Sequence, residues 1–314
     1  MRPMIRRRAR RRNERGRTGL VVFAESNGGL GTAAVETSAR RRIWLCADDY
    51  GISPAVSKAI RELVAQGRLN ATSVMVAAPS FDRSEALPLT MLNIAATRVA
   101  IGLHVTLTAP FRPLSTGFRP LRRGAFPSLG SMMARAYLGR LDRKTLAIEI
   151  ATQFKAFQSA FGRAPDFVDG HQHVQLFPVV DEVFLAVTKE AAPLAWVRQC
   201  GLAVAPLRRL SDRKALLLHY LSGRFRARAA ALGVRTNPAF AGTYDFAARM
   251  PFDELFPDFI QDLPDGGVIM CHPGRVDAEL ERVDPLTLQR EQEYDYLAGD
   301  AFANLLRTQG ISLA

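Results

Sequence analysis

From residue 43 onward, short apolar runs alternate with stretches whose apolar positions recur every three or four residues. Ile43-Trp44-Leu45-Cys46-Ala47 reads as a buried strand ending at Asp48-Asp49. Ser53 then stands as a helix N-cap with Pro54 at the first helical position, where its missing N–H costs nothing. Val56, Ile60, Leu63 and Val64 form one helical face, and Gly67 is a natural stop. Residues 72–76 and 99–105 read as further strands. Ile150, Phe154, Phe157 and Phe161 share one face of a helix over 143–161, closed by Gly162. Phe167-Val168-Asp169 opens another strand, Val179 to Ala191 is a helix, and Ala195-Trp196-Val197 and Val268-Ile269-Met270-Cys271 are strands. Repeated strand-then-helix order predicts a parallel sheet with helices outside it.

Two stretches interrupt this rhythm. Residues 108–141 carry Pro110, Pro113, Pro120 and Pro127 with several glycines, as a binding loop or lid would. Residues 206–237 hold eight basic residues (208, 209, 213, 214, 224, 226, 228 and 235) against Asp212, which reads as a solvated helical face or as a surface that meets an anionic group.

Composition changes the picture in one place. The chain has 314 residues, 48% of them apolar, which excludes a disordered protein and allows one large domain or two small ones. Its net charge of +12 suggests a nucleic-acid binder until it is located. Residues 1–42 hold twelve Arg and three acids, so they carry +9 and leave only +3 for residues 43–314. We therefore expect a basic, disordered extension over 1–42, a folded domain over 43–314 and no specific nucleic-acid partner. No apolar run reaches the roughly 18 residues of a membrane span, and Leu20 to Ala24 is too short for a secretory signal. Cys46, Cys200 and Cys271 give no disulfide framework, which suits a reducing compartment and a cytoplasmic location.

Chemistry gathers at predicted strand ends. Asp48, Asp49, Asp169, His104, His171, His173 and His272 all lie there, and the strand C-termini of a parallel barrel converge on one mouth. Adjacent buried carboxylates at 48 and 49 need a cation or donors, which suggests one on a metal and the other as a base. His104, in an apolar strand, reads on its own as a hydrogen-bonded core histidine. In Asp169-x-His171-x-His173, strand alternation would put three polar side chains on one face, favouring a ligand or catalytic role. His272, before Pro273-Gly274, is either a loop residue or a site residue; His219 reads as a helix position outside the site. Cys46 and Cys271 read as buried small apolar residues. Two imidazoles and a carboxylate suit Zn²⁺ with a coordination position open, and with a second carboxylate the reaction class is amide or ester hydrolysis.

Together, Ala47-Asp48-Asp49-Tyr50-Gly51, Gly102-Leu103-His104-Val105, Asp169-Gly170-His171-Gln172-His173-Val174 and Cys271-His272-Pro273-Gly274 resemble the YdjC-like carbohydrate deacetylases. That family includes chitooligosaccharide deacetylases and hopanoid-associated members, and the likeness runs in order over residues 43–300. The resemblance implies a single TIM-barrel-like α/β domain that removes acetyl from an N-acetylated amino sugar, chitooligosaccharide-like or glycolipid-linked. It implies one divalent ion, Mg²⁺ by family, on Asp49, His104 and His171. Asp48 would be the base and His272 the acid for the leaving amine, with His173, Asp169 and Tyr50 lining the sugar site; a homodimer is the family-level expectation. Tyr50 stands where Phe is usual and Gln175 where a further His is frequent. Two rival readings are a glycosidase pairing Asp48 or Asp49 with Asp169, and a nonenzymatic anion- or glycan-binding protein.

Overall fold

A computed structural model describes residues 41–93, 98–203, 213–246 and 250–313. The expected disorder of the basic extension lies outside the described residues up to position 40, as do Arg208, Arg209 and Asp212. Arg41 and Arg42 correct the expected boundary, because the first strand, β1, runs Arg41–Tyr50.

Around β1 the elements follow as α1 (Pro54–Ala65), β2 (Ala71–Val74), α2 (Arg83–Leu92), β3 (Ala100–Val105), α3 (Leu129–Tyr137), α4 (Arg143–Phe161) and β4 (Phe167–Gly170). Then come α5 (Val180–Ala191), β5 (Trp196–Val197), α6 (Arg213–Ala231), β6 (Phe240–Ala241), α7 (Phe252–Gln261) and β7 (Val268–Cys271). The chain closes with α8 (Ala278–Val283), α9 (Leu288–Ala298), α10 (Asp300–Thr308) and β8 (Ile311–Leu313).

The strands pair in parallel in the order β5-β4-β3-β2-β1-β7-β6, with β8 added beside the start of β1. The two outer strands do not pair directly, but each bonds a segment beside the other: Val197 N–H donates to the Arg235 carbonyl at 2.8 Å, and Phe240 N–H to that of Gly201 at 3.0 Å. Asn237 seals the junction, its side chain bonding both the N–H and the carbonyl of Gln199. The result is the expected TIM-barrel-like parallel α/β domain.

Local sequence explains the frame. Ser53 caps α1 by accepting from Val56 N–H, with Pro54 at its first position, as read. Helix α4 ends at Gly162 with φ 69°, a left-handed cap that glycine adopts without strain. Leu146, Ile150, Phe154, Phe157 and Phe161 of α4 are buried where the helix packs on α5, α2 and β3, each worth about 1.5–3 kcal/mol in apolar burial. At Gly102 in β3 a Cβ would sit 2.5 Å from the Phe167 ring of β4, so only glycine lets the aromatic fill that layer.

Two expectations change, and two strands appear where none was expected. The 108–141 connection contains α3, so it is not loop throughout. The short strands β6 and β8 gave no periodic signal. Residues 171–173 do not continue β4: they enter a 3₁₀ turn over His171–Leu176, with Gln172 at φ 55° and His173 at φ 59°. Strand alternation therefore does not carry the two histidines to one face; a pair of left-handed residues does. His219 lies on α6, as read, and its Nδ1 accepts from Leu202 N–H at 3.2 Å.

Candidate active site

The adjacent carboxylates share a cleft because β1 is irregular where they sit. Ala47 pairs with Thr72 but Tyr50 with Val74, so three steps on β1 match two on β2. That extra residue is a β-bulge, and Asp49 takes φ 66° within it. A regular strand would send neighbouring side chains to opposite faces; here both Asp48 and Asp49 line one cleft of about 500 Å³. Aspartate tolerates the left-handed region better than most residues, but the conformation still costs on the order of 1–3 kcal/mol.

Asp49 gathers two histidines from other strand ends. Its Oδ1 lies 3.0 Å from His171 Nδ1 and 3.3 Å from His104 Nε2, while its Oδ2 accepts from Arg290 Nη2 at 2.6 Å. Burial alone would raise the Asp49 carboxyl, yet Arg290 and His171 hold it well below the usual range. His104 Nδ1 sits 2.6 Å from Asp169 Oδ1, a carboxylate behind the ring that orients it and turns Nε2 toward Asp49. Burial pushes the His104 imidazole down, but Asp169 and Asp48 outweigh it and hold it up to about 10.

Asp48 is gripped differently. Both its oxygens accept from Arg198, at 2.7 and 2.6 Å, a bidentate fork that no water competes for because Arg198 is fully buried. Burial raises this carboxyl, and Arg198 together with His104 brings it down to about 2, so it is ionised at neutral pH. Ser73 Oγ adds a hydrogen bond at 3.2 Å. The same Arg198 lies 2.6 Å from Asp169 Oδ2. Asp48, Asp49 and Asp169 thus face two buried guanidiniums, and the uncompensated negative charge is met by His104 as imidazolium or by a bound cation.

That balance is a test of metal fit. Asp49, His104 and His171 offer ligand atoms that all lie within 4.8 Å of one another, buried, from three separate elements, and can hold a metal ion. Two nitrogen donors, one oxygen and a charge deficit fit a divalent ion.

On the opposite wall, His272 follows β7. Its N–H donates to Glu293, which also accepts from Tyr244 at 2.6 Å. Burial pushes His272 down to about 4, so the ring is neutral near pH 7, and among the described residues its Nδ1 has no hydrogen-bond partner. Burial likewise pushes Glu293 up to about 7, against the bonds from Tyr244 and His272 that lower it. His173 lines the cleft with its Nδ1 3.5 Å from Cys200 Sγ. Leu129, Phe246, Met270, Pro285 and Leu286 supply apolar wall, and Phe111 from the 108–141 stretch abuts the His171 ring edge-on.

Of the residues singled out from sequence, Asp48, Asp49, His104, His171, His173 and His272 line this one cleft. Two do not serve as expected. Tyr50 is buried away from the cleft, its hydroxyl donating to the Glu85 carbonyl at 2.7 Å and accepting from Arg61 at 2.8 Å. Asp169 is fully buried behind His104 and Arg198, so it cannot touch a sugar; this also removes the glycosidase pairing. The basic 206–237 stretch contributes nothing to the cleft among the described residues. Its Arg224 and Arg228 pair with Asp181 and Glu182. Arg198, Arg290, Glu293 and Asp284, which lines the cleft and accepts from Arg290 Nη2 at 2.6 Å, were not singled out. Arg198 stands one residue past a short apolar strand, the same strand-end signal that marked Asp48 and His272.

The YdjC-like protein family profile matches residues 42–308. A chitooligosaccharide deacetylase of Escherichia fergusonii is 26% identical over 272 residues, 85% of this chain and 94% of that one. A carbohydrate deacetylase of Clostridium beijerinckii is 24% identical over 278 residues, 87% of this chain and 97% of that one. Among solved structures, an Enterococcus faecalis V583 protein provisionally assigned to cellobiose-phosphate cleavage superposes with a TM-score of 0.65 at 21% identity, covering 88% of this chain and 97% of that one. That likeness is one of fold.

Proposed function

The chain belongs to the YdjC-like protein family, and from that premise we propose that it is a metal-dependent carbohydrate deacetylase. It would release acetate from an N-acetylated amino sugar, chitooligosaccharide-like or glycolipid-linked. The observation that carries this reading is the convergence of Asp49, His104 and His171 beside a separately held carboxylate, Asp48, in one cleft. The curated relatives named as chitooligosaccharide and carbohydrate deacetylases support the substrate class.

Asp49, His104 and His171 would hold the ion. Once bound, it would polarise the acetamide carbonyl and acidify water. The imidazole-rich donor set favours Zn²⁺ or a similar transition metal over Mg²⁺, which prefers oxygen ligands.

The protein's own groups handle the protons. Asp48, ionised and fixed by Arg198, accepts a proton from the attacking water as its oxygen bonds to the acetyl carbon. His272, neutral in the resting site, can take that proton and deliver it to the amine nitrogen as the C–N bond breaks. Acetate and a free amine leave, and one water is consumed. His173 and the apolar wall would seat the sugar, while Asp169 and Arg290 hold His104 and Asp49 in place.

Acetate release from di-N-acetylchitobiose, with metal-loaded protein against a chelated control, tests the reading. Metal-dependent release is expected. A protein that neither binds one equivalent of metal nor releases acetate would overturn it.

A further inference from the structure

At the other end of the barrel, where the strands begin, lies a second cleft of about 670 Å³. Both tryptophans of the chain line it: Trp44, near the start of β1, and Trp196, the first residue of β5. Their rings are 6.1 Å apart and tilted by 38°. Phe167 stacks against Trp196 at 4.6 Å and 14°, which fixes the plane of that indole. Both tryptophans are half-buried, leaving apolar ring surface open to water in a concave site.

Three arginines surround them. Arg163 forms a two-pronged pair with Asp166, at 2.9 Å on each oxygen. Asp166 is itself fixed by the Ile101 N–H at 2.8 Å. Arg235 donates to the Leu194 carbonyl. Arg98 is exposed and makes no hydrogen bond or ion pair among the described residues. Three guanidiniums against one carboxylate leave the cleft with unmatched positive charge.

We propose that this mouth binds a sugar ring that carries an anionic group. A pyranose presents a flat face of C–H bonds that stacks on indole. Its neighbouring hydroxyls fit the planar Arg163–Asp166 pair, and a phosphate or carboxylate on the ring meets Arg98 and Arg235. Among the described residues, the lining contains no amide or hydroxyl side chain of the kind that reads a nucleobase edge. The cleft is separate from the site at the strand C-termini: Trp44 precedes Asp48 by four residues, about 13 Å of strand.

The placement of the tryptophans supplies the test, because intrinsic fluorescence reports on this cleft alone. The protein is titrated with glucose 6-phosphate, glucuronate, glucose and inorganic phosphate, following tryptophan emission and, in parallel, heat. We expect a saturable response to glucose 6-phosphate or glucuronate, the stronger of the two identifying the acidic group. Glucose and inorganic phosphate should each bind at least tenfold more weakly. Arg98→Ala, a surface change, should raise the midpoint about tenfold, the scale of one charge-assisted contact; Asp48→Asn should leave it unchanged. Absence of both emission change and heat overturns the proposal. So does inorganic phosphate binding as well as the sugar phosphate, an unchanged midpoint in Arg98→Ala, or loss of binding in Asp48→Asn.

Discussion

The two mouths of the barrel treat charge in opposite ways. At the strand C-termini, Asp48, Asp49 and Asp169 are buried and lie against guanidiniums that are themselves fully buried. At the strand N-termini, Arg98, Arg163 and Arg235 stay in water. Buried pairs cost desolvation and return fixed geometry, so they hold reacting groups still. Exposed charges cost little to keep, and here the carboxylate and carbonyl that hold Arg163 and Arg235 are themselves at the surface, while Arg98 has no partner among the described residues. One fold thus supports a preorganised site at one end and an open one at the other.

The contrast breaks most strongly at Arg198. Arg198→Met would leave Asp48 and Asp169 buried without their shared partner, and we expect a stability loss of about 3–5 kcal/mol in urea unfolding. A loss under 1 kcal/mol would show that the cluster relaxes into water. Close behind, Asp48→Asn should lower acetate release by about 10²–10⁴-fold while metal binding persists. Metal lost together with activity would mean that Asp48 and Asp49 have exchanged roles.

Glu293 sharpens the comparison through pH. Its native carboxyl lies at about 7 against an ordinary value of 4.5, so the folded state holds a proton that the unfolded chain releases. Its contribution to stability is therefore present below pH 4.5 and lost as pH rises toward 7, by about 3 kcal/mol. Subtracting the Glu293→Gln curve from the native one should isolate that fall. A flat difference would mean that Glu293 is ionised in the fold. Asp169→Asn should weaken metal affinity about 10–100-fold by releasing the His104 ring, measured by competition with a chelating dye. The smallest effect belongs to the open mouth: Arg235→Ala should change stability by less than about 1 kcal/mol and leave acetate release intact.

Much of this was legible because a parallel barrel makes strand ends meaningful. Where a predicted strand stopped at Asp or His, the side chain proved to lie in or just behind the cleft. Tyr50 misled because it follows the bulge: the extra residue returns it to the outer face, against Glu85 and Arg61, and one sequence carries no register. Asp169 was placed on the right strand end but one layer too far forward, since only the positions of His104 and Arg198 show that it lies behind them. Arg290 and Glu293 sit three residues apart on α9, a helix whose polar positions reach both water and the barrel. Its periodicity carried no sign of which face is which.

The bulge in β1 also has a genetic consequence. Two aspartates share the cleft only while Ala47 to Tyr50 contains one residue more than the facing segment of β2. Removing a single codon there would restore even pairing and turn one carboxylate outward among the helices. The two acidic functions are therefore inherited as a unit set by chain length, and substitution alone can alter either acid without moving it out of the cleft.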